Sequence, residues 1–166
     1  MLDRAAVRAR MLLSMLDLFE ELRGVIACLD GDGVPYALCG GLAMAVHGYP
    51  RATVDIDIVV LANDLGRVES AARALGFTIP AAPMTFRGGA VEIRRLTKIH
   101  TSGQVLSLDM LLVTPAIEGA WNTRQAMTWA FGNISVVSPE GLIALKLLRG
   151  SGRDQDDIKQ LRGEIE

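Results

Sequence analysis

The run Val-Asp-Ile-Asp-Ile-Val-Val at 54–60 constrains this chain more than any other stretch. Its β-branched residues favour a strand, and the two-residue period of a strand puts Asp55 and Asp57 on the same face. Ile56, Ile58, Val59 and Val60 make the segment apolar enough for the inside of a sheet. Two ionised carboxylates this close repel one another, and burying both without partners costs on the order of several kcal/mol. A bound cation is the economical remedy, and oxygen ligands favour Mg²⁺ or Mn²⁺. The alternatives are a sheet edge with the acids in water, or pairing of each acid with Arg51, Arg94 or Arg95.

Asp109 repeats the anomaly, as one acid in the apolar run formed by Leu106, Leu108, Met110, Leu111, Leu112 and Val113. Around these two segments, the sequence predicts alternating strands and helices. Apolar residues recur at helical spacing from 4 to about 29, and Gly31 and Gly33 follow as helix-ending positions. A strand at 35–39 leads through Gly40 and Gly41 into a helix at 42–47, which Gly48 and Pro50 stop. The strand at 54–61 precedes a helix capped by Asn63 or Asp64 and closed by Gly76. Further strands are predicted at 77–79, 91–99 and 105–113. Residues 115–129 read as mostly helical, with Trp121 and Trp129 eight apart and suited to core packing. A strand at 134–137 precedes a helix with Ser138 as cap and Pro139 at its first position, carrying Lys146. After Gly150 and Gly152, a polar last helix begins at 153.

With 166 residues, half of them hydrophobic and 22% charged, the chain suits one folded domain with a real core. We read 1–166 as that domain, with 1–33 as a helical leader and 138–166 as carboxy-terminal helices. No apolar stretch is long enough to span a bilayer. Asp17, Glu20 and Glu21 follow the first apolar run too closely for a secretion signal, and Cys28 and Cys39 lack metal-ligand spacing. Both features point to the cytoplasm and to reduced thiols in the core. A net charge of −2 gives no broad footprint for nucleic acid, although Arg87, Arg94, Arg95 and Lys98 would supply a local basic groove. His47 and His100 have no second ligand at a useful spacing and read as structural or surface residues.

Consecutive glycines between a strand and a helix let a phosphate approach backbone N–H groups at the helix amino terminus. Leu-Cys-Gly40-Gly41, thirteen further residues and then Asp55-Ile-Asp57-Ile together resemble the signature of the nucleotidyltransferase superfamily related to DNA polymerase β. In that pattern a hydrophobic-Gly-Gly/Ser turn precedes a hydrophobic-flanked Asp-x-Asp, and Asp109 falls where a later strand carries the third carboxylate. The segment from Ser-Pro-Glu-Gly-Leu-Ile-Ala-Leu-Lys146 to Arg153-Asp154-Gln-Asp-Asp157-Ile resembles the tail of minimal nucleotidyltransferases from abortive-infection and toxin–antitoxin systems.

The resemblance implies an α/β (α+β) fold with a mixed central sheet flanked by helices. It also implies transfer of a nucleoside monophosphate from a nucleoside triphosphate to an acceptor, with Mg²⁺ or Mn²⁺ as cofactor. Asp55, Asp57 and Asp109 would be catalytic and metal-holding, and two metal ions would clamp the attacking and leaving oxygens. Gly40, Gly41, Arg51, Thr53, Lys146, Arg153, Asp154 and Asp157 become candidates for the nucleotide site. Lys146 also lies beside the apolar stripe of its helix, where its stem would equally snorkel over the edge of the core.

The acceptor stays open among tRNA or other RNA, a protein side chain and a small molecule. A cognate antitoxin is a further candidate partner, as is a second copy packed on Met11, Met15 and Leu18 of the leader. Two rivals compete with this reading. A phosphatase of the haloacid-dehalogenase type also uses Asp-x-Asp, but Val59 stands where its Thr would be, and the glycine pair has no role there. A catalytically silent binding module of the same fold keeps the acids without turnover.

Overall fold

The computed structural model describes the backbone of residues 3–150 and 152–163, and their side chains apart from those of 11, 12, 14–16, 152 and 153. In chain order the elements are α1 (Arg4–Gly31), β1 (Ala37–Cys39), α2 (Gly40–Val46), β2 (Asp55–Val60), α3 (Leu65–Ala74), β3 (Ile79–Pro80) and β4 (Met84–Phe86). They continue with β5 (Val91–Ile99), β6 (Val105–Leu112), α4 (Glu118–Asn122), β7 (Gln125–Trp129), β8 (Gly132–Val136), α5 (Pro139–Arg149) and α6 (Gly152–Leu161).

The strands form one mixed sheet in the order β3-β5-β6-β2-β1-β8-β7, with β4 also paired to β5. β2 runs parallel to β6, while β1 is antiparallel to β2 and parallel to β8. The mixed α/β architecture is the one the sequence predicts. The three residues of β1 and Ile56, Ile58, Val59 and Val60 of β2 are all buried, as expected of strands at the centre of a sheet.

Helices α1 and α3 pack together against one face. Leu18, Leu22, Val25, Ile26 and Leu29 recur at helical spacing along α1 and are all buried. Leu18 therefore belongs to the core and offers no surface to a second copy, contrary to the sequence reading. The side chains of Met11 and Met15, named with it, lie outside the described residues. On β5, Lys98 reaches this same face and donates to both carboxylate oxygens of Glu21 on α1, at 3.0 and 2.9 Å.

Residues 115–129 depart from the expected helix. Helical spacing holds only for the single short helix α4, where Ala120 and Trp121 are buried. From Gln125 the period becomes two: Met127 and Trp129 turn toward the core, and β7 pairs with β8 as a hairpin from Gln125↔Val136 to Trp129↔Gly132. Trp129 thus packs from a strand, between Phe19 of α1 in a tilted contact and Phe131 in an edge-to-face contact, at centroid distances of 5.9 and 5.0 Å. The strand β4 was not foreseen. Asp64 precedes α3 without a side-chain capping bond, so the cap expected there is backbone geometry alone. Ser138 does cap α5, its Oγ accepting the Gly141 N–H at 3.1 Å, and Gly150 ends that helix at φ +73°.

Helix α6 is polar, yet its Asp154 and Asp157 are almost fully buried against α5. Burying carboxylates is tolerable only with close cationic partners. Asp157 Oδ2 accepts from Lys146 Nζ at 2.9 Å and pairs with Arg51 Nη2 at 3.0 Å. Asp154 lies 3.5 Å from Arg149 Nε and 3.9 Å from Lys146 Nζ. This network fastens α6 to α5 and to the loop that enters β2. Asp157→Ala takes the close partner from Arg51 and from the buried Lys146, leaving Lys146 only the 3.9 Å contact with Asp154, and should cost about 3–5 kcal/mol, with Asp157→Asn costing less. Urea unfolding of the two variants checks this, and a loss below about 1 kcal/mol for Asp157→Ala would show that the network does not hold the helix.

Candidate functional site

The register of the sheet brings four chemistry-bearing residues to one level. Cys39 of β1 is the partner of Asp57 on β2, Asp57 the partner of Asp109 on β6, and Asp109 the partner of Arg95 on β5. Registered neighbours in a sheet point to the same face, about 4.8 Å apart. Asp55, two residues before Asp57, shares that face. The three acids singled out in the sequence are therefore clustered, on the face opposite α1.

A cleft of about 500 Å³ opens over this face. Its floor carries Asp55, Asp57, Asp109 and Arg95, Gly40 and Gly41 form one corner, and Leu142, Leu145, Lys146 and Arg149 of α5 line it from above. Gly40 is required twice over. Its φ is +69°, and a Cβ there would lie 2.2 Å from Asp57 Oδ2, so the turn is pressed directly against the carboxylate. Gly41 packs closely on Thr53, where a Cβ would lie 3.0 Å from the Thr53 Cβ. Thr53 Oγ1 in turn accepts the Asp55 N–H at 3.3 Å, which ties the glycine turn to the start of β2.

Burial, together with the like charges of Asp109 and Asp55, pushes the Asp57 carboxyl up to about 7. That is the repulsion expected of the Val-Asp-Ile-Asp run, and Asp109 contributes more to it than Asp55 does. Burial likewise raises the Cys39 thiol well above its ordinary value, so this sulfur is a packing group and not a thiolate nucleophile.

Asp109 is held by Arg95, whose Nε and Nη2 donate to its two oxygens at 2.7 and 2.8 Å. This is the bidentate fork of a strong guanidinium–carboxylate pair, and the hydrogen bonds to Asp109 raise the Arg95 pKa further. Among the described residues, no three His, Cys, Asp or Glu side chains already form a metal-holding group. Asp55 and Asp57 suit a cation by chemistry, as hard oxygen donors whose mutual repulsion a positive charge would relieve. Arg95 uses one acceptor position on each Asp109 oxygen, so Asp109 would join them through the lone pairs that remain.

Of the remaining candidates, Arg51 and Lys146 line the cleft while engaged with Asp157, and Asp154 lines it from α6. Lys146 is 5% exposed with its ammonium paired inside, so it does not snorkel to solvent. Asp157 is buried behind these cations, and the Arg153 side chain lies outside the described residues. The four-residue basic groove does not form: strand parity sends Arg95 to the cleft and Lys98 to the opposite face, and Arg87 docks on α5. His47 is structural, within 2.9 Å of the Val137 carbonyl. His100 sits in the β5–β6 turn, 2.9 Å from Ser102 Oγ.

The pairing of Arg95 with Asp109 was only one of several pairings open from sequence. Counting back four residues on each strand from the hairpin ends at 99 and 105 brings 95 opposite 109, and this was the signal available. Met84, Phe86 and Arg149 also line the cleft and were missed, and Arg87 lines it although the sequence placed it only in a basic groove. The first two sit on the unforeseen strand β4.

No protein-family model matches this sequence, and no curated protein matches it. Solved structures do match in shape. A Thermotoga maritima protein assigned as a nucleotidyltransferase is similar over 90% of this chain and 94% of its own, at 14% identity and a TM-score of 0.59. The lincosamide antibiotic adenylyltransferase LnuA, solved with lincomycin bound, is similar over 86% of this chain and 95% of its own, at 21% identity and a TM-score of 0.55. ANT(2")-Ia, solved with adenylyl-2"-tobramycin, is similar over 86% of each chain, at 14% identity and a TM-score of 0.57. The chain has the nucleotidyltransferase fold.

The raised Asp57 pKa makes stability depend on pH. The folded chain binds this proton more tightly than the unfolded chain, whose carboxyl titrates near about 4. Its contribution is full below that value and is lost as pH rises through about 7. Metal-free protein should therefore have a lower urea midpoint at about pH 8 than at about pH 5, and Asp57→Asn should flatten the difference. An unchanged pH response in Asp57→Asn would show that Asp57 is not the group responsible.

Proposed function

We propose that this chain is a nucleotidyltransferase that moves a nucleoside monophosphate from a nucleoside triphosphate to an acceptor hydroxyl or phosphate, with Mg²⁺ or Mn²⁺ as cofactor. The observation that carries the reading is the packing of the Gly40-Gly41 turn against Asp57, at the end of a carboxylate row formed by Asp55, Asp57 and Asp109. A triphosphate needs backbone N–H donors at one end of its path and fixed negative ligands for its accompanying cations at the reacting end. The cleft offers both in one place.

Asp55 and Asp57 would hold the metal, which when bound supplies charge neutralisation and alignment for in-line displacement. The chain's own groups do the rest. Backbone N–H groups at the glycine turn bind the β and γ phosphates, and Arg51 and Lys146 add positive potential on the same side. An acceptor oxygen forms a bond to the α-phosphorus while the bond from that phosphorus to the pyrophosphate oxygen breaks. Pyrophosphate departs, and the acceptor's proton passes to Asp109 or to water. Asp154 and Asp157 position Lys146 and Arg51 through the network beneath the cleft.

One observation favours a second reading. Both oxygens of Asp109 accept from Arg95, which neutralises this carboxylate and is an arrangement a catalytically silent nucleotide-binding module would keep. A single experiment separates the two. The protein and its Asp57→Ala variant are incubated with each α-labelled nucleoside triphosphate, Mg²⁺ or Mn²⁺, and cellular RNA, protein and small-molecule fractions. Transfer of label by the intact protein, reduced at least about a hundredfold in Asp57→Ala, supports the enzyme. Metal-dependent triphosphate binding with no transfer to any fraction supports the silent module.

A further inference from the structure

The cleft is chemically divided along a diagonal. Asp55 and the glycine turn occupy one corner of its floor. Two residues further along the strands, beyond the Asp57–Asp109 pair, the floor becomes apolar: Ile93 is the partner of Leu111, and Met84 the partner of Ile93. Phe86 of β4, half exposed, completes this wall. Beside it the chain turns back through Arg87, Gly88 and Gly89, all at positive φ of 54°, 64° and 94°. Arg87 Nε donates to the Leu148 carbonyl at the end of α5 at 2.8 Å, so a strap closes the cleft on this side.

In-line transfer needs the leaving pyrophosphate and the incoming oxygen on opposite sides of the α-phosphorus. If the phosphates lie at the glycine corner, the acceptor enters from the apolar corner. We propose that the wall of Met84, Phe86, Ile93 and Leu111 is the acceptor subsite, and that the acceptor is a compact, uncharged, hydroxyl-bearing small molecule with an apolar face. This rests on the nucleotidyltransferase reading and assigns the substrate class within it.

Charge complementarity selects the class. The cationic rim of Arg87 and Arg149 disfavours a polycation. A triphosphate bound over the carboxylate row brings its own negative charge, which disfavours a second polyanion beside it, and the strap from Arg87 to Leu148 closes this side of the cleft. An apolar wall gains most from a partner that brings apolar surface and no charge to desolvate. The cleft of about 500 Å³ has to hold the nucleotide as well, which leaves room for a compact acceptor only.

The test uses two probes on the full chain. Prodan, a neutral naphthalene ketone that brightens in apolar sites, is titrated in the presence of Mg²⁺ and α,β-methylene ATP, beside a naphthyl trimethylammonium analogue. Saturable prodan binding is expected, with the cation at least about tenfold weaker, and with Phe86→Gln and Ile93→Gln each weakening prodan about fivefold. Circular dichroism confirms that both variants are folded, and Phe86→Gln lies at a half-exposed position where folding is least at risk. No saturable binding, equal binding of the cation, or no effect of either variant overturns the proposal. Calorimetric titration of the nucleotide separates the two readings: loss of nucleotide binding with prodan binding intact defeats the transferase reading, whereas nucleotide binding without prodan binding defeats only the acceptor assignment.

Discussion

The lateral contact between Asp57 and Asp109 on the parallel strands β2 and β6 is the constraint around which the site is arranged. A sheet interior normally excludes carboxylates, and here two face each other in register with a third two residues away. The fold tolerates this by devices visible one residue further out. Arg95 takes both oxygens of Asp109 from the neighbouring strand. Gly40 gives up a side chain so that the chain turns directly against Asp57. What is left unresolved appears as the proton affinity of Asp57, raised by burial and by its neighbours' charge. Such frustration at the floor of a cleft is what a cation-dependent site requires, because the binding of the ion then relieves a cost already built into the folded chain.

A second electrostatic layer lies beneath the first. Lys146, Arg51, Asp154 and Asp157 form an ion-pair network that docks α6 and supports the edge of the cleft. The resemblance placed these four residues near a nucleotide. Their geometry gives them work with one another first, and whatever reaches a phosphate does so from a position set by this network.

The acids, the strand carrying them and the glycine turn were legible because their signals are local. An acid in a β-branched run, a strand period of two and a glycine pair before a helix can all be read without knowing the fold. The hairpin of β7 and β8 was not legible, since Ile117, Ala120 and Trp121 start a true helical spacing, and the change to a period of two at Gln125 comes within one turn of its end. Leu18 was misplaced because a long leader helix looks equally apolar whether its stripe meets a sheet or a second copy. The apolar wall was hidden for a different reason: β4 has three residues, and its meaning comes only from pairing with β5, opposite Ile93. Long-range pairing, not composition, makes Met84 and Phe86 part of the cleft.

The central claim is that the carboxylate row binds a nucleoside triphosphate through a divalent cation. Calorimetric titration of metal-free protein with α,β-methylene ATP, with and without Mg²⁺, tests it most directly when run beside Asp55→Asn. The account predicts saturable binding with Mg²⁺ that weakens at least about tenfold without the ion and in Asp55→Asn. Equal affinity with and without Mg²⁺, or an Asp55→Asn variant that binds as tightly as the parent, would contradict it.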